Sequence, residues 1–145
     1  MPVLVVEDSF LVAASLEDAL VEAGHQVTVA SSVAEAEAAL AGTSFAIALL
    51  DYMLPDGDSL GLARRLGASG CKVAVVSGVD REVVPPDPAI SAHFVKPMDE
   101  RELIGWVKAM ISERAAGAVK ISRAAQPRRI RGTALALARW VSEFV

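Results

Sequence analysis

Three acids, one hydroxyl and one lysine stand where short apolar runs end. Glu7 and Asp8 follow Val3-Leu4-Val5-Val6, and Asp51 follows Phe45-Ala46-Ile47-Ala48-Leu49-Leu50 and precedes Tyr52-Met53-Leu54-Pro55-Asp56-Gly57. Ser77 closes Val73-Ala74-Val75-Val76, and Lys96, ahead of Pro97, closes Ala92-His93-Phe94-Val95. A polar side chain at the C-terminal end of a buried strand is displayed at the edge where open α/β sheets bind ligands. Carboxylates gathered within a few ångströms repel, and they stay ionised only where a cation joins them or some of them take up protons. Oxygen donors select a hard ion, and Mg²⁺ commonly uses one or two carboxylates, waters and phosphate oxygens. A carboxylate beside such an ion can attack a phosphoryl group, with Lys96 as a further cation and Ser77 as a hydroxyl donor.

The elements that must position these groups are legible in the hydrophobic periodicity. Apolar runs at 2–6, 26–30, 45–50, 72–77 and 92–95 are short and rich in Val, as parallel strands covered on both faces should be. Helical patterns separate them. Residues 10–23 place Val12, Leu16, Ala19, Leu20 and Ala23 on one stripe, which stops at Gly24, a residue suited to a left-handed C′ position. Ser32 with Glu35, and Asp99 with Glu102, have capping-box spacing. Leu103, Trp106, Val107 and Met110 form an i, i+3, i+4, i+7 face that belongs to a core. Such alternation predicts right-handed crossovers and an α/β, doubly wound five-stranded parallel sheet of order 2-1-3-4-5. In that order the first and third strands are neighbours, so Glu7, Asp8 and Asp51 converge. The exception is Val83-Val84-Pro85-Pro86-Asp87-Pro88: each interior proline costs a helix about 3 kcal/mol, which predicts a short or missing fourth helix.

Composition narrows the class. The 145 residues are 53% hydrophobic and 22% charged, which suits a globular chain with a well-filled core. No apolar stretch reaches the roughly 18 to 20 residues that span a bilayer, and no basic n-region opens the chain; the expectation is a cytoplasmic protein without membrane insertion. Cys71 is the single cysteine, which excludes an internal disulfide and reads as a small packing thiol. Residues 1–118 carry 8 basic against 17 acidic side chains, whereas residues 119–145 carry 6 against 1. This shift predicts a domain over 1–117 and a basic extension over 118–145, with a second break at Gln126-Pro127. The extension holds Lys120, Arg123, Arg128, Arg129 and Arg131, then an amphipathic stripe of Leu137, Trp140, Val141 and Phe144. It reads either as a disordered linker or as an extra C-terminal helix that packs on its own domain, pairs with a second copy as a homodimer, or docks to another protein.

The ordered set of Glu7-Asp8, Asp51 with Met53-Leu54-Pro55-Asp56-Gly57, Ser77-Gly78 and Lys96-Pro97 resembles the receiver domain of two-component response regulators of the single-domain, CheY-like type, over about residues 2 to 114. The resemblance implies a flavodoxin-like fold and a phosphoprotein that acts in phosphorelay signal transduction, not as an enzyme. Asp51 would be the phosphoacceptor, supplied by a sensor histidine kinase or phosphotransfer protein. Asp8 would bind Mg²⁺ directly, Glu7 through water, and Met53 through its backbone carbonyl. Lys96 would contact the phosphoryl group or Asp51, and Ser77 would move to hydrogen-bond a phosphoryl oxygen. Output would pass by contact with a downstream protein, as a shuttle or sink for phosphoryl groups or as an adaptor.

Departures from the family pattern qualify this. The usual aromatic three positions before the lysine is His93 here, and Phe94, one residue later, faces the other side of a strand. Met53 and Val79 stand where the family's side chains flank an attacking water, and neither can orient one, so slow self-dephosphorylation is expected. Two other readings are weaker. The basic tail offers arginines for nucleic-acid phosphates but no recognisable helix-turn-helix. A dehalogenase-like phosphatase needs a second aspartate where Met53 stands.

Overall fold

Valine-rich segments become strands because a β-branched side chain loses little rotamer freedom on a pleated surface and packs well there. The structure, a computed structural model, describes residues 1–78 and 84–124, the side chains of 118–124 excepted. The elements run β1 (Pro2–Val6), α1 (Phe10–Glu22), β2 (Gln26–Ala30), α2 (Val33–Leu40), β3 (Ile47–Asp51), β4 (Met53–Leu54), β5 (Gly57–Asp58), α3 (Leu60–Ala68), β6 (Lys72–Ser77), β7 (Ile90–Val95) and α4 (Glu100–Ala124). The main sheet is parallel in the order β2-β1-β3-β6-β7, which is the expected 2-1-3-4-5. β4 and β5 form a separate antiparallel hairpin that periodicity did not signal, since each strand has only two residues.

Strand alternation divides the core into two layers. Leu4, Val6, Ala48, Leu50, Val73 and Val75 face α2 and α3, where Ala36, Leu62 and Leu66 meet them. Val3, Val5, Ile47, Leu49 and Val76 face the other way, toward Leu16 and Leu20 of α1 and Leu103 and Val107 of α4. Each fully buried leucine contributes roughly 1.5–3 kcal/mol by leaving water. The buried face of α1 is Ala13, Leu16 and Leu20, with Val12 exposed, so the expected stripe is displaced by one residue at its start. The helix ends as its glycine predicts: Gly24 has φ +94°, its N–H donates to the Val21 carbonyl at 2.9 Å, and the His25 N–H donates to the Leu20 carbonyl at 3.0 Å. That pair of bonds is a Schellman motif.

Residues 84–89 contain no helix, as the prolines dictate; residues 79–83 lie outside the described residues. The segment is nonetheless fastened to α3. Arg64 Nε donates to Asp87 Oδ2 at 2.7 Å, Asp87 Oδ1 accepts the Ala89 N–H at 2.9 Å, and Val84 is buried in the α2–α3 layer. Gly67 makes the approach possible, because a Cβ there would lie 2.9 Å from the Ala89 Cβ and 3.2 Å from its Cα.

Residues 1–111 form one compact unit and residues 112–145 a second. α4 is helical through Gly117, where the charge pattern placed a domain boundary. The tail stripe of Leu137, Trp140, Val141 and Phe144 lies outside the described residues. No helix among the described residues is long and apolar enough to cross a membrane.

The close contact at Gly67 separates two substitutions on the same helix. Gly67→Ala is expected to destabilise the fold by about 1–3 kcal/mol through overpacking against a backbone that cannot swing away. Gly61→Ala meets nothing within 4 Å and is expected to stabilise by about 0.5–1 kcal/mol through helix propensity. Urea denaturation of both variants beside the parent checks the opposite signs.

Candidate functional site

Parallel pairing decides which acids meet. Val6 is in register with Leu50, so Glu7 and Asp51 leave their strands side by side at the point where the chain crosses from one half of the sheet to the other. Carboxylate oxygens of Glu7, Asp8 and Asp51 all lie within 4.8 Å of one another. Glu7 is 5% exposed and Asp51 9%, while Asp8 is open to solvent. Glu7 Oε1 accepts the Ser9 N–H at 3.1 Å, which orients its other oxygen across the sheet end.

Lys96 closes the cluster from β7. Its Nζ lies 3.2 Å from Glu7 Oε2 and 3.3 Å from Asp51 Oδ1, bridging the two least exposed acids. Burial pushes the Asp51 carboxyl up to about 6, the Glu7 charge pushes in the same direction, and Lys96 opposes both. For Lys96 burial alone would lower the ammonium, but the attraction of Asp51 and Glu7 outweighs it and leaves the group above its ordinary value. Ser77 ends β6 buried, one residue beyond Val76, the register partner of Asp51. Its carbonyl accepts the Lys96 N–H at 2.7 Å, so the hydroxyl-bearing and lysine-bearing strand ends are joined through backbone. The Lys96–Pro97 peptide is cis.

All six residues named from the sequence are therefore placed at one sheet end, with Met53 beginning the hairpin directly after Tyr52 and 58% exposed. The donor set suits a hard divalent cation, because it consists of carboxylate oxygens and its negative charge exceeds what Lys96 offsets. The Glu7 and Asp8 charges add to burial in raising the proton affinity of Asp51. Val79, the other residue tied to phosphoryl lifetime, lies outside the described residues. Phe94 packs edge-to-face on Trp106, ring centroids 6.3 Å apart, in the α1–α4 layer. His93 is in register with Val75 of the opposite layer, as alternation required.

Two features escaped the sequence reading. A cleft of about 720 Å³ opens beside Asp51, with Leu11, Val12, Leu16, Met98 and Leu103 in its walls. Leu11, which lines it, is 79% exposed, and its chain neighbour Phe10 is 83% exposed. Their signal was present, since both apolar residues fall outside the stripe assigned to α1. The second is Asp56, whose side chain turns away from the cluster to α2.

A five-stranded doubly wound sheet with acids at its switch point and a lysine at the last strand end defines a receiver-type signalling domain. The chain matches the response regulator receiver domain family over residues 3–108 and belongs to that family. It is 32% identical over 118 residues to the transcriptional regulatory protein AruR of Pseudomonas aeruginosa, covering 75% of this chain and 48% of that protein. It is 34% identical over 122 residues to the swarming motility regulation protein RssB of Serratia marcescens, covering 81% and 55%. The chain thus spans about half the length of the curated relatives it matches. Among solved structures, a CheY-like receiver domain protein of Methanospirillum hungatei JF-1 superposes with TM-score 0.73 at 25% identity, over 80% of this chain and 97% of that one. The response regulator TrrA of Thermotoga maritima, solved in complex with Mg(2+)-BeF, has TM-score 0.66 at 22% identity, over 75% and 97%.

The electrostatics of Asp51 fix a sign. An acid whose proton is held more tightly when folded loses stability as pH rises from about 4, the unfolded value, to about 6. Without added metal at pH 7, Asp51→Asn is therefore expected to be more stable than the parent by on the order of 1 kcal/mol, after screening by water at the open rim. The advantage should shrink as pH falls toward 4. Thermal melts across that range check it, and a parent stability that climbs between pH 4 and 6 relative to Asp51→Asn would contradict the assignment.

Proposed function

We propose that Asp51 accepts a phosphoryl group from a histidine kinase or phosphotransfer protein and that the domain signals by protein–protein contact. The observation that carries this reading is the convergence of Glu7, Asp8 and Asp51 with Lys96 at one sheet end. An Asp51 carboxylate oxygen attacks the phosphorus of a phosphohistidine; the new O–P bond forms as the N–P bond breaks, and the imidazole leaves with the electron pair. The product is an acyl phosphate on Asp51. Lys96, already beside Asp51, pairs with the negative oxygens of the transferring group, and the Ser77 hydroxyl donates to one of them after transfer. A Mg²⁺ ion held by Asp8, Asp51 and the Met53 carbonyl, and by Glu7 through water, would supply further charge neutralisation. The receiver occupies residues 1–117 and the basic extension follows it.

Exposed Leu11, which lines the cleft with Asp51, and its exposed chain neighbour Phe10 give the donor protein an apolar surface to bury. Small donors need no such surface.

Incubation with acetyl phosphate and Mg²⁺ is expected to add one phosphoryl mass to the chain and none to Asp51→Asn. The adduct should decay slowly, because the exposed Met53 side chain carries no group to orient water. A folded, magnesium-supplied sample that gains no such mass from acetyl phosphate or a competent kinase would overturn the proposal; decay within seconds would refute the lifetime. Replacing Phe10 and Leu11 together by Ala should slow transfer from a phosphohistidine protein by about tenfold or more, from the apolar burial lost. Labelling by acetyl phosphate should be unchanged in that variant, and an equal loss with both donors would contradict a docking role.

A further inference from the structure

Asp56 is the acid next to the site that the phosphoryl chemistry leaves unused. It lies between β4 and β5, and each of its carboxylate oxygens accepts an amide from the first turn of α2: Oδ1 from Val33 at 2.9 Å and Oδ2 from Ala34 at 3.0 Å. These two N–H groups have no partner within the helix. The third, that of Glu35, donates to Ser32 Oγ at 3.1 Å. Ser32 is thus the local cap, and Asp56, 23 positions along the chain from Val33, is a tertiary brace between the hairpin and the helix. The bonds from Val33 and Ala34 hold the Asp56 carboxyl below the usual carboxylate range, which is the signature of donors aimed at the charged form.

The hairpin so braced carries Met53. Its two rungs, Met53 with Asp58 and Leu54 with Gly57, are too few to be rigid alone. Its base is fixed, because the Tyr52 N–H donates to the Val76 carbonyl and the Ser59 N–H to the Tyr52 carbonyl, both at 2.9 Å. Its turn is fixed to α2 by Asp56. The start of α2 is in turn two residues beyond Ser31, which follows Ala30, and the Ala30 carbonyl accepts the Glu7 N–H at 3.0 Å. A series of hydrogen bonds and short chain segments therefore runs from Glu7 through the end of β2 and the start of α2 to Asp56, the hairpin and Met53.

We propose that Asp56 is a positioning residue for the divalent-ion site: by tying the hairpin turn to α2 it sets where the Met53 carbonyl stands relative to Glu7, Asp8 and Asp51. This rests on the reading that these residues take up a divalent ion.

Titration of the full chain with Mg²⁺ by calorimetry tests the inference. Asp56→Ala is expected to weaken Mg²⁺ binding by about tenfold, the size expected when a partner that orients a metal ligand is lost. The rate of labelling by acetyl phosphate at saturating Mg²⁺ should stay within about twofold of the parent, since the reacting groups remain. Asp56→Asn keeps one acceptor oxygen and should fall between the two, which also covers the case in which Asp56→Ala does not fold. Ser32→Ala is the discriminating control: it removes a bond at the same helix end, should lower stability, and should leave Mg²⁺ affinity unchanged. In metal-free buffer, amide exchange at Gly57 and Asp58 should speed up in the Asp56 variants and not in Ser32→Ala. Equal Mg²⁺ affinities for the parent and both Asp56 variants, or equal weakening in Ser32→Ala and the Asp56 variants, would overturn the inference. A parent chain that binds no Mg²⁺ would instead overturn the functional reading on which it stands.

Discussion

Repulsion among three carboxylates held at one sheet end is the constraint on which the rest of the structure depends. Glu7 and Asp51 leave neighbouring strands nearly buried, and Asp8 completes the cluster from the rim. Buried like charges are costly unless they are paired or neutralised. Among the described residues, Lys96 is the cation that reaches both buried acids. One positive group against three negative ones leaves a deficit, and burial, with the Glu7 and Asp8 charges adding to it, pushes the Asp51 carboxyl up to about 6. The fold accepts this penalty because the strands on which the acids ride are among the best buried parts of the molecule. Val3, Leu4, Val5 and Val6 in β1 and all five residues of β3 are shielded on both faces. A site that is short of positive charge and rigidly backed is prepared to gain more than it loses when a cation or a charged phosphoryl group with its cation arrives.

Rigid backing comes from polar ties as much as from the core. Ser9 fixes one Glu7 oxygen, the Ser77 carbonyl fixes the Lys96 backbone, and Val76 fixes Tyr52. The Ser77–Lys96 and Val76–Tyr52 bonds use main-chain groups at or next to strand ends, where the ladder stops and an unpaired N–H or C=O would otherwise remain, and the Ser9 N–H belongs to the N-cap of α1. The donors and acceptors left over by the sheet are therefore the same groups that hold the functional side chains in place.

The hydrophobic code and the acids were legible in sequence; the long-range polar bonds were not. Strand positions, their order and the convergence of Glu7, Asp8 and Asp51 follow from Val-rich runs, helical spacing and the handedness of crossovers, all properties of local pattern. β3 is shifted to Ile47–Asp51 and β7 begins at Ile90, small displacements at ends where no periodicity speaks. The capping box at α2 is half as expected: Ser32 accepts the Glu35 N–H, but the Glu35 carboxylate turns to Ser31, accepting its N–H at 2.7 Å and its hydroxyl at 2.9 Å. At α4, Asp99 Oδ1 caps the Arg101 N–H at 2.9 Å, and Glu102 meets Asp99 through its N–H rather than its carboxylate. Asp56 and Gly67 were missed for one reason: each is explained by an atom far away in sequence.

The proline segment shows how a local rule can be right and still incomplete. Prolines 85, 86 and 88 exclude a helix, yet the chain there is ordered by contacts that no propensity encodes. Arg64 and Gly67 lie three residues apart on α3, on one face of that helix, and they receive Asp87 and Ala89 respectively. The Asp87 carbonyl then accepts the Ile90 N–H at 3.0 Å and delivers the chain into β7. β7 is consequently entered from a turn anchored on the α3 side, while its far end is tied to Ser77 on the adjacent strand and its Phe94 rests on Trp106 of α4. The Ser77 and Lys96 strand ends are thus joined by a direct backbone bond.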